Sequence, residues 1–357
     1  MTNCERIELL RELCLAFGPT GCEHRVASLI KDKLEALGYE SYLDRVGNLI
    51  VHIPCENAPR VMISAHTDEV GFIISEITES GYLKFRVLGG IDPRVLCGKH
   101  VTVETKSGDF VAGVIASKAI HHQTAEERKA VTPIKSMYID IGANKKEDAE
   151  SVVELGGCAT FDSKFVQFGH ENAFIKSKAI DDRLGCSEMI YVLEKIKGQS
   201  IPLDLWFCFT VREEIGLSGA QTAAQSIRPD YSIVIESTAV ADLPDVPESS
   251  RVAKLGEGGA ISLRDRSTIY DRGFVRMALA LAESKGIPAQ LKRYVSGGND
   301  AGHIHKSGSG VRALAISAPS RYIHSPACVV SKNDYLSMGE LLYTIITNFN
   351  EEEIKNA

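Results

Sequence analysis

The chain has 357 residues with 40 basic and 47 acidic side chains, a net charge of -7, which argues against nucleic acid or an anionic membrane as its main partner. No apolar run approaches the roughly 18 residues of a membrane span, and the opening MTNCERIELLRELCLAFG carries charges where a secretory signal needs an apolar stretch, so a cytoplasmic location is expected. The nine cysteines are scattered without a C-x-x-C pair; reduced, mostly buried thiols are expected here, not a disulfide framework or a zinc knuckle.

The length suggests two domains, or one large domain with an insertion. Glu5 to Phe17 has apolar residues at helical spacing and stops at Gly18-Pro19. His24 to Leu37 reads as a second amphipathic helix closed by Gly38. Asn48 to Ile53 and Val61 to Ala65 are short apolar runs and read as strands. Such alternation predicts an α/β fold, with a mixed, largely parallel sheet sandwiched by helices. After Asp68 the texture changes. FIISEI, YLKFRVL, HVTVET, FVAGVIA and SMYIDIG are short β-like runs parted by turns such as Ser80-Gly81, Gly89-Gly90 and Ser107-Gly108. With one helical stretch, Lys146 to Val153, they predict a small β-rich domain over residues 71–166, inserted into an α/β domain made of 1–70 and 167–357. The α/β pattern then resumes. Helices are expected over Asp182 to Ile196, after Gly216, near Gly273 to Ser284 and over Ser337 to Asn348. Strands are expected over Asp204 to Val211, Ser232 to Ile235, Gln290 to Tyr294 and Arg312 to Ser317.

Functional residues of open α/β sheets lie beyond the carboxyl ends of the strands. Here VMISA is followed by His66-Thr67-Asp68, LWFCFTV by Arg212-Glu213-Glu214, YSIVI by Glu236, and LAISAPSRYI by His324, while AFIKSKAI leads into Asp181-Asp182. Each has a plain structural explanation by itself. Asp182 can cap a helix, and Glu213-Glu214 can sit at a positive helix start. Together they would crowd carboxylates that need a countercharge, which divalent metal supplies. Imidazole and carboxylate without thiolate suit zinc, manganese or cobalt. A pair of such ions, roughly 3.5–4 Å apart, activates water for hydrolysis. In His66-x-Asp68 the carboxylate can orient a ligating imidazole. Of two adjacent glutamates, one can bind metal while the other serves as base.

The motifs AHTDEVGF, KAIDDRLG, VREEIGLSGA, SGGNDAG and SRYIHSP, with GGIDPRVLCGKHV and IDIGA in the insertion, resemble the glutamyl, deblocking and tetrahedral aminopeptidases, a family of co-catalytic dizinc exopeptidases. The resemblance implies two divalent ions, zinc above all. His66 and Glu236 would hold one, Glu214 and His324 the other, and Asp181 would bridge them. Glu213 would be the general base, and Asp68 would orient His66. It also implies a cis Asp181-Asp182 peptide, a free α-amine held by one metal, and short peptides with free N-termini as substrates. The insertion would be a dimerisation or PDZ-like domain, and the assembly a homo-oligomer, up to a tetrahedral dodecamer. Glu236 stands where the family often has Asp, Ser218 where many members carry Arg, and Asn299 where Thr is common. Arg264 and Arg266 are candidates for a cationic pocket favouring acidic first residues. The alternatives are a related dinuclear hydrolase (an N-acyl deacylase or a carboxypeptidase) and, more remotely, an endoglucanase-like glycosidase, which would need two carboxylates and no metal.

Overall fold

The computed structural model describes residues 1–356. Helix α1 (Asn3–Leu15) starts at Thr2: Glu5 N donates to the Thr2 hydroxyl and Thr2 N donates to the Glu5 carboxylate at 2.6 Å, a capping box that pins the first turn. Helix α2 (His24–Ala36) buries Val26, Ala27, Ile30 and Leu34, a helical spacing. Strands β1 (Tyr42–Leu43), β2 (Leu49–Ile53) and β3 (Arg60–His66) follow.

The chain then leaves the main sheet. Strands β4 (Gly71–Ile77), β5 (Leu83–Leu88), β6 (His100–Glu104), β7 (Phe110–Ala116) and β8 (Tyr138–Asp140), helix α3 (Lys146–Val152) and strand β9 (Cys158–Phe161) make a small unit. Its strands close into a barrel in the order β4-β5-β8-β7-β6-β9. In β6 only Val101 and Val103 are fully buried, every second residue. That alternation is what a barrel wall requires, one face in and one out. The interior is a separate apolar cluster around Phe72, Leu83, Val103, Ile139 and Phe161.

After β10 (Val166–Phe168) and β11 (Phe174–Ser177) come α4 (Ile180–Ile196), β12 (Asp204–Thr210), α5 (Ser218–Ile227), β13 (Tyr231–Ala239) and β14 (Gly259–Ser262). The chain ends with α6 (Arg272–Lys285), β15 (Ala289–Lys292), α7 (Ala301–Ile304), β16 (Arg312–Arg321), β17 (Cys328–Ser331), α8 (Lys332–Thr347) and α9 (Glu351–Asn356). The main sheet has 11 strands in the order β1-β2-β12-β3-β13-β16-β17-β11-β10, with β14 branching from β16 and β15 beyond it. Its centre, β12-β3-β13-β16, is parallel. Strands β3, β12 and β16 are apolar and buried almost throughout, as strands covered by helices on both faces must be. The flanks are antiparallel, so the sheet is mixed and its parallel character is confined to the middle.

This register sets the functional edge. Thr210 of β12 pairs with His66 of β3. Ile233 of β13 pairs with Ile63 of β3, and three residues on come Glu236 and His66. The ends of β3 and β12 and the later part of β13 thus deliver polar residues at one level.

Two findings depart from the sequence reading. Cys22 and Cys158 form a disulfide, against the expectation of reduced thiols throughout; the other seven cysteines are free. The partners lie 136 residues apart in sequence, and only the return of the chain through β9 brings them together. The short β1, β9, β10, β14, β17, α7 and α9 were not anticipated, because elements this brief hold too little periodicity to detect. No helix of the described residues is long and apolar enough to cross a membrane.

Candidate metal centre

His66 closes β3, and Asp68 follows two residues later. Asp181 opens α4 after Ala179, whose φ is 51°. Glu213 and Glu214 form the turn after β12, Glu236 lies within β13, and His324 follows β16. Ala179, Arg212, Leu217, Tyr322 and His324, all next to or among these residues, have positive φ values between 51° and 60°. Each such residue costs on the order of 1–3 kcal/mol and persists where surrounding structure over-determines it, often at functional sites. The Asp181–Asp182 peptide is cis, as the resemblance implies.

Asp181 stands between the two imidazoles. Its Oδ1 lies 3.2 Å from His66 Nε2 and its Oδ2 lies 3.2 Å from His324 Nε2. Glu214 Oε1 is 3.3 Å from His324 Nε2, and Glu236 Oε1 is 3.6 Å from His66 Nε2. Glu213 Oε2 sits farther out, 4.0 Å from His66 Nε2. The other ring nitrogens are spoken for. His66 Nδ1 faces the Asp68 main-chain oxygen at 3.1 Å, and His324 Nδ1 faces the Gly90 oxygen at 2.8 Å. A carbonyl can only accept, so each Nδ1 carries hydrogen and each Nε2 lone pair is left for a cation.

Asp68 does more than its spacing suggested. Its Oδ1 lies 3.4 Å from His66 Nδ1 and accepts from Glu213 N at 3.0 Å. Its Oδ2 accepts from Glu214 N at 3.2 Å and from the Thr20 hydroxyl at 2.8 Å. One buried carboxylate therefore fixes both the imidazole and the turn bearing the two glutamates. The Gly89-Gly90 turn after β5 belongs here too: Gly89 has φ +83°, and a Cβ on it would come 3.1 Å from Glu214 Oε2.

Electrostatically the cluster is short of positive charge. Burial raises Glu213 well above the usual carboxylate range, with Glu236 and Glu214 adding to the effect. Burial likewise lifts Glu214 to about 8. In His324 burial opposes the charged form, but Asp181 and Glu214 outweigh it and raise the imidazole to about 9. Groups that hold protons so firmly for want of a countercharge exchange them for metal. Glu214 Oε1 is buried without a hydrogen bond, facing His324 Nε2 at 3.3 Å, two lone-pair donors that a cation between them would satisfy. Ligand atoms of His66, Asp181 and Glu214 all lie within 4.8 Å of one another, as do those of His66, Asp182 and Glu236. The donors fit a divalent metal of the zinc type. Asp182 is the less available of the two aspartates, since its oxygens accept from His66 N at 3.3 Å and Gly185 N at 3.1 Å.

Some supporting residues were invisible to sequence reasoning. Lys178 Nζ donates to Glu69 Oε1 at 2.6 Å, bracing the approach to Asp181 from the segment after Asp68. Asp300 accepts from the Thr210 hydroxyl at 2.7 Å. Arg264 and Arg266 are exposed on either side of the buried Asp265.

A mixed α/β sheet with imidazoles and carboxylates gathered at its strand ends, interrupted by a small barrel, defines a metal-dependent hydrolase of the exopeptidase class. The family model described as M42 glutamyl aminopeptidase matches residues 47–341, and the chain belongs to that family: it is an aminopeptidase that depends on divalent metal. A TET aminopeptidase from Thaumarchaeota archaeon SCGC AB-539-E09 superposes with a TM-score of 0.94 at 34% identity, covering 99% of each chain. The TET1 peptidase of Pyrococcus horikoshii, described as able to assemble into a tetrahedron or a large octahedral shell, has a TM-score of 0.86 at 32% identity, covering 96% of this chain and 100% of its own. The lysyl aminopeptidase of Pyrococcus furiosus is 28% identical over 92% of each chain. These likenesses favour the aminopeptidase over the deacylase, carboxypeptidase and glycosidase alternatives.

Proposed function

We propose that this chain removes residues one at a time from the free N-termini of short peptides, using two divalent ions, zinc above all. His66 and Glu236 would hold one ion, Glu214 and His324 the other, and Asp181 would serve both. The observation that carries this reading is the placement of Asp181, with one oxygen 3.2 Å from each imidazole. Bound metal supplies a Lewis acid and a water of lowered pKa. The rest is done by side chains. Asp68 and Gly90 hold the imidazoles in the tautomer that leaves Nε2 free. Glu213, kept out of the ligand set and basic through burial, takes the proton of the attacking water and returns it to the leaving amine. A cytoplasmic location is part of this reading: seven of the nine cysteines are free and suit a reducing compartment, with the Cys22–Cys158 bond as the exception.

The test is a panel of aminoacyl chromogenic substrates, each with an N-acetyl counterpart, assayed after chelation and after readdition of zinc, manganese or cobalt. Turnover is expected only with a free amine and only with metal restored. Cleavage of the acetylated set alone would replace this reading by a deacylase.

A homo-oligomer larger than a dimer is expected, supported by the assemblies described for the Pyrococcus horikoshii relative. The barrel over residues 71–166 would serve one of the contacts. Light scattering at micromolar protein with metal present decides this, and a particle of one or two chains would refute it.

A further inference from the structure

Among the described residues, four lysine or arginine side chains are buried: Arg6, Lys178, Arg183 and Lys292. Arg6 pairs with Glu188, Lys178 with Glu69 at 2.6 Å, and Arg183 with Glu69 at 3.6 Å. Lys292 differs. It is 5% exposed and makes neither an ion pair nor a hydrogen bond. Burial pulls its ammonium below the usual lysine range, and only the more distant charges of Asp265 and Glu236 act against this. A buried ammonium without a close partner is costly, and Asp265 and Glu236 act on it only from a distance.

Its position is specific. Lys292 ends β15 opposite Ser262 of β14. Its neighbours Leu291 and Arg293 are exposed, so strand alternation turns Lys292 inward. Asp265 makes no ion pair with it; its oxygens are turned to Ser267 N and Thr268 N at 2.7 Å and to the Tyr270 hydroxyl at 2.6 Å. Tyr270 reaches on to Asn299 at 3.3 Å. Thr238, two residues beyond Glu236 on β13, meets Ser296 at 2.9 Å between hydroxyls. The turn 265–270, the loop 296–299 and the end of β13 are thus tied together beside Glu236, and Lys292 stands opposite Ser262, three residues before that turn begins at Asp265.

We propose that Lys292 is the specificity-determining residue of this enzyme, its ammonium receiving the side-chain carboxylate of a glutamyl or aspartyl first residue. The inference rests on the aminopeptidase reading above. Family membership leaves the matter open, since the family is described by glutamyl substrates while the Pyrococcus furiosus relative is named for lysyl ones. Exposed Arg264 and Arg266 act through water and are screened. Lys292 acts from a low-dielectric wall, where one charge counts for more.

The experiment measures kcat/KM of the metal-loaded full chain on glutamyl-, aspartyl-, leucyl- and lysyl-p-nitroanilide. Wild type is expected to prefer the acidic pair. Lys292→Met should lower the glutamyl-to-leucyl ratio about 100-fold, the order expected for removing one partner of a buried charge pair, and Lys292→Glu should bring lysyl above glutamyl. A role in folding alone would depress all substrates together and leave the ratio where it was, which would overturn the assignment. If the Met variant does not fold, Lys292→Gln keeps a polar group and the same ratio decides. Wild type that cleaves leucyl or lysyl but neither acidic substrate also overturns it, while leaving the aminopeptidase reading intact. Failure on every free-amine substrate with metal restored would bring down the reading beneath both.

Discussion

Glu213→Gln is expected to lower kcat by about 10²–10⁴-fold, the usual contribution of a positioned general base, without loss of bound metal. The amide keeps the shape of the side chain and removes the basic oxygen. Glu213 is the member of the cluster that stands back, 4.0 Å from His66 Nε2 where Asp181 is at 3.2 Å. Its main-chain N–H is fixed on Asp68, so the substituted residue stays in place. Metal content by elemental analysis and turnover on the same sample give the answer together. Near-normal turnover would remove Glu213 from the role of base, and lost metal would make it a ligand.

His324→Ala should separate from that pattern by losing both quantities. Partners that merely orient a ligand cost about 10–100-fold in metal affinity or activity when altered, so removal of a ligand should cost at least about 100-fold in activity and reduce the metal bound per chain. His324 lies on the loop after β16 and is 28% exposed, outside the apolar core, so the fold should persist. Circular dichroism of the variant checks this. Full occupancy of two ions in folded His324→Ala would take His324 out of the ligand set.

Much of this was legible in the sequence, for a specific reason. Parallel central strands are apolar throughout, so the first polar residue after each run marks the sheet edge: His66 after VMISA and Glu213-Glu214 after LWFCFTV stand out without any structure. The barrel was legible for the opposite reason, since its short alternating strands contrast with the runs on either side. What stayed hidden depends on folding over distance. The Cys22–Cys158 bond, the Lys178–Glu69 pair and the reach of Gly90 to His324 join residues 136, 109 and 234 positions apart, and no local pattern announces them. Lys292 was hidden differently. In sequence it is one of two adjacent cations, Lys292-Arg293, and only strand alternation decides which is buried. Arg264 and Arg266, the candidates in sequence for a cationic pocket, are exposed, and composition alone does not distinguish a buried cation from a solvated one.

The Gly90 oxygen that holds His324 comes from the turn after β5, a strand of the barrel, and Thr160 of β9 donates to Glu69 at 2.9 Å beside the Asp68 segment. The insertion is therefore not an accessory that could be cut away to leave a smaller catalyst. Replacing residues 71–166 by a short linker would free a histidine ring to rotate and loosen the strand end behind it. The Gly89-Gly90 turn and the inner end of β9 are answerable to the chemistry of a sheet in which they take no part.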